Sequence, residues 1–199
     1  MLNEKNVQHE ITYIDLRNKP DWFLEMSPAG KVPVIQTPNE DVLFESAVIN
    51  EYLDEVHEPH FMPEGALERA QTRMWIEFTG YLFGDVYRLY TADDAESAQK
   101  YVDSARERLE KMLEAYEGPF FDGEQFGLVD AAVCPAIMRL DWVARISSEL
   151  DVFTGNPQLE QWRTTLMEYD SVKNSVLPDI FDIFVESLQK SERWLATQL

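Results

Sequence analysis

Between His57 and Gly65 the helix-breaking residues Pro59, Pro63 and Gly65 separate two stretches of different periodicity. Residues 1–60 hold short β-like runs and turn signals, whereas residues 66–190 hold long patterns of period 3.6 with few breakers. The break predicts an α/β part over residues 1–58 and an all-helical part over residues 66–199. At 199 residues, 45% hydrophobic and 12% aromatic, the chain can bury a substantial core.

In the first part, Ile11, Tyr13 and Ile14 form a short apolar run that predicts a strand in a largely buried sheet. After the loop Asn18, Lys19, Pro20, the segment PDWFLEM predicts a short helix over 20–26 with proline in its first turn, stopped by Ser27, Pro28 and Gly30. The runs Val32–Ile35 and Val42–Phe44, joined through Pro38 and Asn39, predict a hairpin. Ser46 is placed to N-cap a helix over 47–56, whose Val48, Ile49, Tyr52, Leu53 and Val56 make one apolar stripe.

In the second part, Ala70, Met74, Phe78, Leu82 and Val86 recur at four-residue steps and predict one long amphipathic helix. Tyr101, Ala105, Leu109, Leu113 and Tyr116 predict the next. Residues 128–147 are apolar over much of a helix circumference and should form the buried central helix. Asn156 and Pro157 supply an N-cap and a first-position proline for a helix carrying Leu159, Trp162, Leu166 and Tyr169. A terminal helix is expected over 178–195.

Seventeen basic against 37 acidic side chains give a net charge of −20, which repels phosphate backbones and anionic lipid heads. Neither nucleic acid nor membrane is an expected partner. No run approaches the roughly 18 apolar residues that span a bilayer, and residues 1–5 lack a signal peptide's apolar stretch, so a cytoplasmic location is expected. A lone Cys134 forms no intrachain disulfide, and His9, His57 and His60 show no metal-ligand spacing with it; no metal is expected. Cys134 precedes Pro135 in the apolar central helix and reads as a small buried hydrophobe rather than a nucleophile. Arg139 and Trp142, one turn apart, face either a ligand pocket or the core.

The chemistry-bearing stretch is SPAGKVPV, residues 27–34, followed after the hairpin by FESAVINEYLDE, residues 44–55. Pro33 between Val32 and Val34 must sit at a sheet edge or bulge, and a cis bond there turns the Val32 backbone outward, where it can pair with a bound peptide. Glu45 and Ser46 stand at a helix start, where free N–H groups and the positive end of the dipole attract a carboxylate. A strand edge beside an anion site suits a short extended peptide with a free carboxylate. Taken singly, Ser46 is a helix cap and Pro33 a strand terminator; the joint arrangement favours a ligand.

With these motifs the chain resembles the cytosolic glutathione transferases, whose fold joins a thioredoxin-like domain to an all-helical one. IDLRNKPDWFLEMSPAGKVPV, residues 14–34, is similar in particular to the omega and dehydroascorbate reductase classes, which use cysteine. The resemblance implies glutathione as co-substrate, a small electrophile as second substrate and a homodimer in which the thioredoxin-like part of one subunit faces the helical part of the other. By motif, Val32 with Pro33 would pair with the cysteinyl portion of glutathione, and Glu45 and Ser46 would hold the γ-glutamyl portion. Lys19 would reach the glycyl carboxylate or is an ordinary solvated loop lysine.

Two departures from that pattern stand out. Gly127 replaces the family's serine or threonine at the cap ahead of Asp130, which costs only a few tenths of a kcal/mol. The family's first strand and the loop bearing its reactive residue have no counterpart, so the catalytic residue is expected before Met1 and the sheet is expected to be incomplete. A cut or misassigned start is the expectation, with a rearranged or partner-completed sheet as the alternative. FMPEGALERAQTRM and FGLVDAAVCPAIMRL, residues 61–74 and 126–140, also resemble the stringent starvation proteins, which associate with RNA polymerase; a non-catalytic interaction protein is therefore the alternative function.

Overall fold

The structure, a computed structural model, describes residues 1–199. A short helix α1 (Asp21–Met26) precedes strands β1 (Val34–Gln36) and β2 (Val42–Phe44) and helix α2 (Ser46–Val56). The helical part follows as α3 (Ala66–Tyr90), α4 (Ala95–Leu113), α5 (Leu128–Ile146), α6 (Pro157–Glu168), α7 (Asp170–Lys173) and α8 (Ile180–Gln189). Short 3-10 turns lie at Ser148–Leu150 and Trp194–Gln198.

The two strands are antiparallel, with Val34 opposite Phe44, Ile35 opposite Leu43 and Gln36 opposite Val42. Thr37 closes the hairpin: its N–H donates to Asp41 O at 2.9 Å and its hydroxyl accepts from the Asp41 N–H at 3.2 Å. The strand expected at Ile11–Ile14 does not form. Its residues lie in a segment without regular structure or backbone partners, and Ile11 and Tyr13 are exposed. An apolar run becomes a strand only by pairing, and the sheet has only the two strands of the hairpin.

The core sits in the helical part as a cluster of 30 buried residues running from Leu82 to Leu195. The N-terminal part adds Phe23, Ile49 and Leu53. Helix α5 is the centre, with 11 residues buried among Leu128 to Val143, and α3 packs along both α4 and α5. Burying a Leu, Ile, Val, Phe or Met side chain stabilises by about 1.5–3 kcal/mol, so the helical part carries most of the hydrophobic stabilisation.

The stripe expected along α3 is only half right: Leu82 and Val86 are buried, but Met74 is exposed. At 3.6 residues per turn each four-residue step overshoots a turn by about 40°, so the line from Ala70 to Val86 winds some 160° around the helix. The inward positions of the first half are instead Thr72 and Thr79, buried because their hydroxyls donate to Glu68 O and Ile76 O. The terminal helix is shorter than expected. Ser191 interrupts it by donating its hydroxyl to Leu188 O at 2.7 Å, and Trp194 then ties back to Ala92 O.

The caps of α5 and α6 form as the sequence predicts. Asn156 Oδ1 accepts from the N–H groups of Gln158 and Leu159 ahead of Pro157. Gly127 stands at the N-cap of α5, and the buried Asp130 reaches back to it. Its carboxylate accepts from the N–H groups of Gly127 and Phe121, both at 3.0 Å, and from the indole N–H of Trp162 at 3.2 Å.

Candidate functional site

The hairpin and α2 bring the residues of the SPAGKVPV and FES motifs to one end of the sheet. The paired register ends at Val34 opposite Phe44, so Val32 and Ser46 each stand two residues beyond the last pair at the same end of the hairpin. Val32 lies just outside β1, is exposed, and has no partner within the chain for its N–H or C=O. The peptide bond Val32–Pro33 is cis.

Ser46 does not cap α2, contrary to the sequence expectation; it is the first helical residue, and Glu45 holds the cap position. Glu45 adopts φ 68° and ψ 114°, a region that L side chains rarely enter, and its side chain makes no cap hydrogen bond. The first intrahelical bond runs from Ile49 N to Glu45 O, so the N–H groups of Ser46, Ala47 and Val48 are free. The Ser46 hydroxyl and the Glu45 carboxylate, both exposed, have no partner either. Free donors at a helix start carry the positive end of the dipole, and this end of α2 is suited to an anion.

Lys19 approaches from the loop before α1. Its ammonium lies 3.4 Å from the point where a side chain would begin at Gly30, two residues before Val32. Gly30 has φ +59°, a conformation natural to glycine, and a side chain there would lie in ordinary contact with that ammonium. Lys19 makes no ion pair with another residue of the chain. The hairpin end therefore presents a free cation, an unpaired backbone and an unpaired helix start.

The remaining candidates fall elsewhere. Cys134 is buried, and burial pushes its thiol up to about 12, with Asp130 adding to the shift. Trp142 is buried and packs tilted against Phe184 with ring centres 5.2 Å apart, while Arg139 donates to Pro135 O at 2.8 Å. Trp142 belongs to the packing between α5 and α8, and the Arg139 side chain folds back along α5. Sequence reasoning missed a buried ion pair between Lys5 and Asp54, with N to O at 2.6 Å. Its members are 49 residues apart, so no local spacing signals it.

Comparison with known proteins bears on family and fold. The family model for the glutathione S-transferase N-terminal domain matches residues 1–56, and that for the C-terminal domain matches residues 70–175. Glutathione S-transferase omega-1 of Rattus norvegicus is 30% identical over 183 residues, covering 88% of this chain and 72% of the rat protein. The crystal structure of glutathione transferase Omega 3C from Trametes versicolor superposes with a TM-score of 0.76 at 24% identity, over 86% of this chain and 78% of that one. Rice GST1, solved in complex with glutathione, superposes at 0.79 with 25% identity over 95% of this chain and 89% of the rice chain. These relatives are transferases, and the interaction-protein alternative gains no support from them. With both family models matched in order along a two-part fold, the chain belongs to the glutathione S-transferase family and is omega-like.

Proposed function

We propose that the chain binds glutathione at the hairpin end and the start of α2, and that the bound thiol attacks a small electrophile or takes part in thiol exchange. The observation that carries this reading is the set of uncommitted polar groups gathered at Lys19, Val32 and Ser46. Extended along the edge, the cysteinyl portion pairs with the N–H and C=O of Val32, with Pro33 holding that backbone outward. The γ-glutamyl carboxylate meets the free N–H groups and hydroxyl at Ser46, and the adjacent Glu45 carboxylate faces the γ-glutamyl ammonium. Lys19 takes the glycyl carboxylate. A relative solved with glutathione bound supports the choice of ligand. The reading assigns no residue of this chain to activation of the thiol.

A homodimer and a cytoplasmic location belong to the same proposal. Leu67, Met74 and Tyr81, all exposed, recur at seven-residue intervals on α3 and present an apolar line to a second copy. No helix is long and apolar enough to cross a membrane.

Titration calorimetry of the full chain with glutathione tests the reading. Ser46→Ala should weaken binding by about 1.5–3 kcal/mol, or roughly 10- to 150-fold, the scale of a hydrogen bond to a charged group. The melting temperature should stay unchanged, because Ser46 is exposed and caps nothing. Absence of heat with the wild-type chain sinks the proposal.

A further inference from the structure

The turn at residues 3–5 sends three consecutive side chains to both parts of the molecule. Asn3 Nδ2 donates to Ser171 O at 3.3 Å, and Glu4 Oε1 accepts from the Tyr169 hydroxyl at 2.9 Å; both partners lie in the helical part. Lys5 turns the other way. Its ammonium donates to Asp54 Oδ1 at 2.6 Å, to His57 O at 3.1 Å and to Pro59 O, and it sits 3.8 Å from the centre of the Phe61 ring. Three hydrogens meet three oxygens, and both charged side chains are fully withdrawn from solvent.

Asp54 completes the arrangement. One carboxylate oxygen also accepts from the Phe61 N–H and the other from the Met62 N–H, each at 2.8 Å. Its carbonyl accepts from His60 Nδ1 at 2.7 Å. The connection at residues 57–62 is therefore fastened to the last turns of α2 and to Lys5. Well-packed apolar residues can match a buried pair for stability, so the specific return from such a pair is a fixed geometry.

We propose that residues 3–5 form a clasp setting the placement of α2 against the helical part, and that Lys5 is a positioning residue for the ligand-binding start of α2. Ser46 lies eight residues before Asp54, roughly 12 Å along the helix, so a tilt of about 5° at Asp54 displaces Ser46 by about 1 Å. An error of that size at a ligand's anchoring group is costly. The effect on glutathione rests on the binding reading above; the effect on α2 does not.

The test uses the full chain, with Lys5→Met, Tyr169→Phe and Leu109→Ala. The last is a core truncation within the helical part, remote in sequence from the clasp. Well below their melting temperatures, Lys5→Met should lower glutathione affinity by about 2- to 30-fold, the range of coupling through packed side chains. Leu109→Ala should bind as the wild type does. Equal affinity in Lys5→Met and wild type overturns the positioning role. Hydrogen exchange read by mass spectrometry supplies the second measurement: in Lys5→Met and Tyr169→Phe, amides of residues 46–62 should exchange faster while those of α4 and α5 keep their rates. Uniform acceleration or none overturns the clasp. Should the wild type bind no glutathione, the binding reading fails and the exchange result alone decides the clasp. Should Lys5→Met not fold, Tyr169→Phe, which deletes a single hydroxyl, carries both measurements.

Discussion

Replacing Asp130 with alanine removes the acceptor shared by three buried donors, the N–H groups of Phe121 and Gly127 and the indole N–H of Trp162. An unsatisfied buried donor costs about 1–3 kcal/mol, so three cost roughly 6 kcal/mol at mid-range. An opposing contribution comes from the carboxylate itself. Burial pushes its pKa from 3.8 up to about 6, against the pull of those same N–H groups, and the truncation removes that burdened charge. Two units of pKa correspond to about 3 kcal/mol, leaving a net loss of about 3 kcal/mol at pH 7.5. The pH dependence has a definite sign. Folded Asp130 keeps its proton up to about pH 6, whereas the unfolded chain releases it near 3.8, so wild-type stability from this group falls as pH rises through 6. Alanine lacks that dependence, and at pH 5 its deficit should be about 1.4 kcal/mol larger than at pH 7.5. Urea unfolding followed by tryptophan fluorescence reads both values; with a slope of about 3 kcal/mol per molar, the midpoint falls by roughly 1 M at pH 7.5. A deficit under 1 kcal/mol, or one that widens as pH rises, refutes the reasoning.

Two further outcomes are expected. Cys134, its thiol pushed up to about 12 by burial, should react with Ellman's reagent at pH 8 at least about a thousandfold more slowly in the folded chain than in denaturant; equal rates would place the thiol at the surface. Met74→Glu should convert a dimer to a monomer in light scattering without lowering the melting temperature, because Met74 is exposed and a buried unpaired carboxylate is excluded from an apolar interface. A monomeric wild type, or a variant that stays dimeric, removes the proposed homodimer.

The helical part was legible because its signals are local. Asn156 and Pro157 mark the start of α6, and the apolar circumference of residues 128–147 marks the central helix, each within a few turns of sequence. Even the glycine cap at Gly127 was readable, since Asp130 three positions on supplies the acceptor. The differences come from distant partners in one place and from local geometry in others. Ile11 to Ile14 read as a strand by composition, but pairing decides strands, and no partner lies beside them. The α3 stripe failed because four-residue spacing drifts around a helix of 25 residues. At the site, the motif residues and the hairpin were legible, while the positive φ of Glu45 was not, since nothing about a glutamate announces a conformation usually left to glycine.

Hydrogen-bond accounting separates the two kinds of polar group in this chain. No buried side-chain nitrogen or oxygen is without a partner. Lys5 and Asp54 fill each other's valences together with the connection at residues 57–62, and Asp130 is filled by the chain around Gly127. A group so committed has no capacity left for a ligand, and disturbing it costs stability. Ser46 and its two following amides are in the opposite state: Ser46 and Val48 are exposed, Ala47 is half-buried, and none of the three amides has a partner in the chain. Such groups contribute little to folding and keep their full hydrogen-bonding capacity for a visitor. A substitution that lowers ligand affinity at unchanged melting temperature belongs to the second kind, and one that lowers melting temperature belongs to the first. Lys5 is the informative exception, because a committed group that also changes affinity acts through the placement of α2.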